Sequence, residues 1–509
     1  MMAITLDFQL ILTSAISHPF HLLLLLILAS SLLLKWLLMS HNSSALLPPS
    51  PRRLPIIGNL HQLGQHAHQS LRYMALSHGP LMLIYLGSVP AYVVSSANVV
   101  KEILKTHDII FSNRSDSYIF RRLLYDGKDI LLAPYGDYWR HIRAISVLQL
   151  LSSKKVHSYE IVREEEIALM VENIKNGGII DLSKMLGSLT NDILCRVAFG
   201  KKYSDGKGDE KFKKLFDEFG ELLGVFNIGE YIPWLKFLNH FNGLNARVER
   251  NFVEFDKLLD QIFDDHIAKG PKVQHYQMDL LDVLLENQQD SGIADVTIAR
   301  TNMKAILADM FAGGSDTTYA ALEWAMTELV KHPTAMNLAQ KEIRLIVGDK
   351  KSVTRDDIHK MEYMKAVIKE TLRMHPPIPL MPRISSQTVE LHGYTIPAHT
   401  RVFINASAIG RDATRWDEPD EFRPERFMGG RVCDEFDFMP FGGGRRGCPG
   451  VTFATAIIEL VLANLLLNFD WSLPDGARGE DLDVEETSGL SVHKKNPLVV
   501  VARFARVTI

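Results

Sequence analysis

Apolar residues recur three and four positions apart through most of the chain beyond residue 96, the spacing of one helical face. That pattern predicts helices near residues 97–106, 137–150, 156–174, 182–199, 211–224, 246–268, 297–330, 334–347, 360–374 and 450–468. Two short apolar runs, Leu81 to Tyr85 and Ala91 to Ser95, are split by Gly87-Ser88-Val89-Pro90 and read as a β-hairpin. Short strands are expected again near 388–404 and 492–504. No linker, repeat or low-complexity break follows residue 60. The expectation is one large domain, mainly α with small β-sheets at one side, an α+β balance.

The first 40 residues follow a different pattern. No charge occurs between Asp7 and Lys35, and His21-Leu22-Leu23-Leu24-Leu25-Leu26-Ile27-Leu28 begins the most apolar stretch. Counted through Met39 it supplies about 20 residues, enough for one bilayer-spanning helix. A cleaved secretory signal is the alternative. The length, the Lys35-Trp36 pair and the later Arg52 and Arg53 favour an uncleaved signal anchor with the large domain on the cytosolic side. Sequons at Asn42, Asn113 and Asn405 would then stay unmodified. Pro48-Pro49-Ser50-Pro51-Arg52-Arg53-Leu54-Pro55 reads as a stiff, extended spacer, since proline lacks the N–H that helix and sheet need. The expected organisation is an anchor at 1–40, a hinge at 41–59 and a catalytic domain at 60–509.

Composition narrows the chemistry. A net charge of −4 with signs mixed throughout gives no case for nucleic acid. Three cysteines, Cys195, Cys433 and Cys448, are too few for a disulfide framework and lack zinc-ligand spacing, which points to a reducing compartment. Cys195 lies in an apolar helix and reads as core, and Cys433 lies in an acidic loop and reads as a bystander.

Cys448 is different. It sits in Phe441-Gly442-Gly443-Gly444-Arg445-Arg446-Gly447-Cys448-Pro449-Gly450, a glycine-rich loop opening into an apolar helix. A helix N-terminus favours a thiolate, glycines admit a large flat partner, and Arg446 adds a cation. Such a loop also suits phosphate, or a plain turn. In the longest predicted helix, Gly313 and Gly314 each cost about 1 kcal/mol relative to alanine. With Ala312 they make room for a flat group, or for a close helix contact. Thr317 can turn its hydroxyl to the carbonyl of Gly313 and open a pocket, beside Asp316 as a proton source. Glu370 and Arg373 share a helical face, ordinarily a weak surface pair. Trp139 and Arg143 share another, and read equally as an exposed basic turn.

Together these segments resemble the cytochrome P-450 family. The loop matches Phe-x-x-Gly-x-Arg-x-Cys-x-Gly at Phe441, Gly444, Arg446, Cys448 and Gly450, and Gly313 to Thr318 resembles the family's oxygen-activation signature, with glycine for the commoner alanine at 313. Lys369-Glu370-Thr371-Leu372-Arg373 with Pro424-Glu425-Arg426-Phe427 is similar to its Glu-x-x-Arg and Pro-Glu-Arg-Phe set. The resemblance runs from about Pro48 to Phe504 and is strongest to plant microsomal A-type members. It implies the cytochrome P-450 fold and haem b with Cys448 as axial ligand. It also implies that Trp139, Arg143, Arg446 and, more weakly, Arg383 hold the propionates, with Phe441 and Gly313 against the ring. Thr317 and Asp316 would deliver protons to bound dioxygen, and Glu370, Arg373 and Arg426 would form a structural triad locking the cysteine loop.

By the same resemblance, electrons come from NADPH through a membrane reductase, an acidic flavoprotein that Arg445, Lys154 and Lys155 could dock, though a solvated surface reads as well. The implied protein is a monomer, single-pass in the endoplasmic reticulum membrane, oxidising a plant specialised metabolite. Segments 115–132, 215–240, 308–313, 378–381 and 488–492 would line the substrate pocket. Tyr118, Phe120, Ala312, Ile378, Leu380 and Leu490 suggest an apolar substrate; Arg121 and Arg122 would suit an acidic one. Two other functions stay open: a haem-thiolate dehydratase or isomerase acting on an oxime or peroxide without net O2 use, and a non-enzymatic haem carrier.

Overall fold

In a computed structural model of the protein, the described residues are 46–505 apart from 116, 176–177, 204–208, 271–277, 290–298, 351 and 430–433, together with Leu23, Ile27, Ser30 and Ser31. Those four are helical, and Leu23 and Ile27 are exposed. The remainder of the expected anchor, and Cys433, lie outside the described residues.

Eleven helices frame the site. They are α1 (Ala67–His78), α2 (Asp137–Ile145), α3 (Glu160–Lys175), α4 (Leu182–Phe199), α5 (Asp209–Gly224), α6 (Leu244–Lys269), α7 (Arg300–Gly314), α8 (Asp316–Lys331), α9 (Pro333–Val347), α10 (Glu362–Met374) and α11 (Val451–Asn468). Local chemistry sets their ends. Asp181 caps α4 by accepting the Lys184 amide at 2.9 Å, and Gly200 ends that helix in the left-handed region at φ +68°. Pro333 opens α9, where its missing N–H costs nothing.

α11 carries no charge except Glu459 and is apolar on all sides. Its 18 residues have a mean hydropathy of 1.8, long and apolar enough to cross a membrane by composition. It packs instead against α3, α8, α9 and α10, and Ile457, Val461, Leu462, Leu465 and Leu466 are at most 1 % exposed. It is therefore a core helix, the type expected when apolarity surrounds the axis.

Among the described residues, nine strands form three sheets: β1 (Leu81–Leu86), β2 (Val89–Val94), β3 (Ile179–Asp181), β4 (Leu380–Ile384), β5 (Val389–Leu391), β6 (Tyr394–Ile396), β7 (Arg401–Asn405), β8 (Phe469–Ser472) and β9 (Val499–Phe504). The order is β1-β2-β7-β4 in the largest, with β2 parallel to β7 and the other pairs antiparallel. β9 lies between β3 and β8, and β5 pairs with β6. The pattern of the chain had not predicted β4, because Pro382 interrupts it. Its edge position resolves this, since an edge strand tolerates a residue without an N–H.

The proline-rich hinge differs from a free extended spacer. Leu54 and Gly58 exchange backbone hydrogen bonds at 2.9 and 3.0 Å around a turn, and Leu83 N donates to Pro49 O at 2.9 Å. The buried Asn59 side chain accepts the Tyr85 amide at 2.8 Å and donates toward Pro51, Arg52 and Gln62. One polar side chain thus fastens the segment to the edge of β1.

Candidate active site

The cysteine loop is wound so that its backbone satisfies itself. Cys448 N donates to Phe441 O at 2.9 Å, Gly442 N to Met439 O at 3.1 Å, and Gly450 N to the Cys448 sulfur at 3.3 Å. Gly444 has φ +64°, and a Cβ there would lie 2.5 Å from Asp108 Oδ1, whose carboxylate takes the Arg445 amide and side chain. Only glycine fits that turn.

Cys448 is exposed, yet burial pushes its thiol above the usual range, against the Gly450 amide and the Arg143 guanidinium, which favour the thiolate. The sulfur is accessible although protein surrounds much of it. A separate cavity of about 490 Å³, lined by residues including Leu104, Phe436 and Gly442, contains neither Cys448 nor Gly313.

α7 and α8 are one long helix interrupted at Ser315. Thr317 Oγ1 donates to Gly313 O at 2.6 Å and Thr318 Oγ1 to Gly314 O at 2.8 Å, side-chain bonds that compete with the backbone ladder. A Cβ added at Gly313 would meet nothing within 4 Å, whereas one at Gly314 would touch Leu194. Gly313 therefore borders open space, and Gly314 is a helix contact with α4. Asp316 is half-buried at the start of α8.

Three guanidiniums lie close to one another: Arg383 and Arg446, which are buried, and Arg114, which is half-buried. Burial lowers Arg383 and Arg446 to about 10, and lowers Arg114 well below its ordinary value, helped by repulsion from the other two. Among the described residues none of them has an ion-pair partner. Arg446 donates to the carbonyls of Ser112, Ile130 and Ala133, Arg114 Nη1 to Pro382 O, and Arg114 Nε has no partner. Trp139 spends its one N–H on Ile130 O at 2.9 Å, and Arg143 donates to Gly447 O at 2.7 Å. Both rings of charge meet the indole, with Arg446 4.4 Å and Arg143 5.4 Å from its centre.

The cytochrome P450 family model matches residues 48–501 of this chain. The chain belongs to the cytochrome P450 family. It is 52 % identical over 466 residues to cytochrome P450 736A117 of Prunus mume, covering 89 % of this chain and 90 % of the relative. It is 47 % identical over 465 residues to strychnine-11-hydroxylase of Strychnos nux-vomica, covering 90 % and 91 %. It is 45 % identical over 471 residues to norfluorocurarine oxidase of a Strychnos species, covering 89 % and 92 %. This P450 is accordingly an oxidoreductase of the monooxygenase type, and its family implies a haem-thiolate cofactor, a small-molecule substrate, O2 and a redox-partner reductase.

The residues present fit that cofactor. The buried cations lack carboxylate partners, Arg114 Nε is orphaned, and Gly313 leaves a space that a side chain would fill. Arg114 was not among the residues singled out in the sequence. A lone arginine in Asn113-Arg114-Ser115 has no spacing signal, and only its burial reveals it.

The structure brings Glu370, Arg373 and Arg426 together. Arg373 donates to both Glu370 oxygens at 2.7 Å, and Arg426 Nε and the Arg423 amide reach Oε1 at 3.1 and 2.8 Å. The guanidiniums also bind carbonyls of Gly410, Pro419 and Glu418, so the triad ties α10 to the segment that leads into the cysteine loop.

Of the pocket residues, Ala312, Phe120 and Leu490 are half-buried against the main core, and a Cβ at Gly224 of α5 would lie 3.1 Å from Leu490 N. Ile378 is half-buried, Tyr118 is 38 % exposed, and Leu380 packs on the sheet cluster with Leu71 and Ile84. Arg122 is held by both oxygens of Glu249 at 2.6 and 2.7 Å, so it does not await an acidic substrate. The basic patch is also reduced: Arg445 pairs with Asp108 at 2.8 Å, and Lys155 donates to Met278 O. Cys195 is fully buried, as its apolar helix suggested.

Proposed function

We propose that this P450 is an NADPH- and O2-dependent monooxygenase that hydroxylates or epoxidises an apolar plant specialised metabolite: a terpenoid, alkaloid, coumarin or phenolic. The alkaloid member of that range gains support from the names of two relatives, strychnine-11-hydroxylase and norfluorocurarine oxidase. The observation that carries the reading is the pairing of Thr317 with the Gly313 carbonyl, beside open space on one helix.

Haem bound through Cys448 would supply an electron-rich metal suited to O–O cleavage. The chain does the rest. Gly450 N–H aims the Cys448 sulfur, and Arg143 lies close enough to favour its charge. Arg114, Arg383 and Arg446, with Trp139 and Arg143 beside them, would hold two carboxylates; Phe441 and Gly313 would flank the ring. The Thr317 hydroxyl, donating to Gly313 O, keeps its lone pairs for a water, and Asp316 next to it would replace the proton handed on. Ala312, Phe120 and Leu490 would exclude water and select apolar substrates.

An endoplasmic reticulum location, with the domain cytosolic, is supported by the apolar N-terminus and by a second feature. Trp234, Phe237 and Phe241 are between 53 % and 82 % exposed, and Tyr231 of the same segment accepts the Ser88 amide on the β1–β2 turn, which also meets Gly58 of the hinge. These aromatics therefore lie on the same side as the hinge. The test is co-expression with a plant reductase in yeast, metabolite profiling, and stoichiometry on the product found. Near-equal NADPH and O2 use per product is expected; product without net O2 consumption would overturn the reading.

A further inference from the structure

Two acids outside the residues assigned above meet in the interior. Asp129 is fully buried, and Asp309 stands on α7 one turn before Gly313, enclosed by protein although not wholly hidden. Asp309 Oδ2 accepts the Ile130 amide at 2.5 Å, and Asp129 Oδ2 accepts the Leu132 amide at 2.9 Å. Each carboxyl acts electrostatically on the other, and Asp129 Oδ1 has no hydrogen-bond partner. A buried carboxyl oxygen without a donor, close to a second carboxyl, is satisfied when one proton serves both.

Ile130 makes this contact consequential. Its N–H goes to Asp309, while its carbonyl accepts both Trp139 Nε1 and Arg446 Nη1, the latter at 2.7 Å. One residue thereby joins α7, α2 and the cysteine loop. We propose that Asp129 and Asp309 form a one-proton clasp, a pair of positioning residues that holds residues 129–133 between α7 and the cysteine loop and so keeps Arg446 and Cys448 in register. The consequence for the haem site rests on the function proposed above; the clasp itself does not.

Charge fits this arrangement. With one proton shared, the pair carries a single negative charge near the three guanidiniums, leaving two positive charges for two cofactor carboxylates. The carboxylate that acts on Arg383, Asp108, is already engaged by Arg445. The charged or titratable groups acting on the pair are Arg446 from the cysteine loop and Tyr138 from α2, whose hydroxyl donates to Lys128 O and accepts from Asn302. Burial raises Asp129 to about 6 and Asp309 well above its ordinary value. Both folded values exceed the roughly 4 of an unfolded carboxyl. Folding therefore takes up a proton, and the stability of the clasp is lost as pH rises through the folded values.

Asp309→Asn tests this, because its amide donates permanently to Asp129 while its carbonyl still accepts Ile130. Two pH profiles are measured on the holoprotein: the fraction giving a thiolate-type spectrum when reduced with CO, and hydrogen exchange of amides 130–132 corrected for base catalysis. In the unmutated protein, exchange should speed up and the thiolate fraction fall on the alkaline side. Asp309→Asn should flatten both profiles, with exchange about tenfold slower one pH unit above the unmutated midpoint. Asp309→Ala should open the strap already at neutral pH. Coincident profiles for Asp309→Asn and the unmutated protein would overturn the clasp. If no thiolate-type spectrum appears at all, the haem reading fails, and the exchange profiles still decide the clasp.

Discussion

Two arginine clusters among the described residues differ in one respect. Arg373 and Arg426 close on Glu370, which is fully buried and accepts three charge-assisted bonds from them, so charge and geometry are complete within the chain. Arg383 and Arg446 are also buried and Arg114 is half-buried, but they find mostly backbone carbonyls, and Arg114 Nε finds nothing. A complete cluster is architecture. An incomplete one, maintained at the cost of burying unpaired charge, is what a ligand with negative charge would complete.

The comparison is broken most severely by Glu370→Ala. It strands two guanidiniums, which costs about 3–5 kcal/mol, and the protein should be recovered without haem and with a lowered unfolding temperature. A fully haem-loaded, equally stable variant would contradict the structural role. Arg114→Leu should behave oppositely. Haem affinity should fall about 10–100-fold, the value of one or two bonds to a charged group, while the apoprotein's thermal stability holds or rises. A stability loss like that of Glu370→Ala would merge the two clusters into one class. Thr317→Ala should disturb the pocket least: haem content unchanged, product formation down on the order of 100-fold, and NADPH oxidation continuing without matching product. Tight coupling in that variant would remove Thr317 from proton delivery.

The two clusters were also unequally legible. Glu370, Arg373 and Arg426 stand in two short patterned segments, and Cys448 and Thr317 in others, because local backbone geometry demands particular residues there: glycine at 444, a hydroxyl four residues after 313. Long helices such as α4, α6 and α11 follow from periodicity because one apolar face, or the whole surface, is buried. Contacts between distant positions leave no such trace. Arg114 reads as a solvated arginine in a sequon, and Asp129 and Asp309 as ordinary acids, until folding encloses them. β4 was hidden by Pro382 because its edge position depends on β7, a partner that local pattern does not reveal.

The central claim is that Cys448 provides a thiolate to haem iron. The most direct measurement is the CO-difference spectrum of the reduced protein beside that of Cys448→Ser at matched protein concentration. The account predicts a thiolate-type band in the first and its complete absence in the second. A serine variant that keeps both the band and turnover would contradict it.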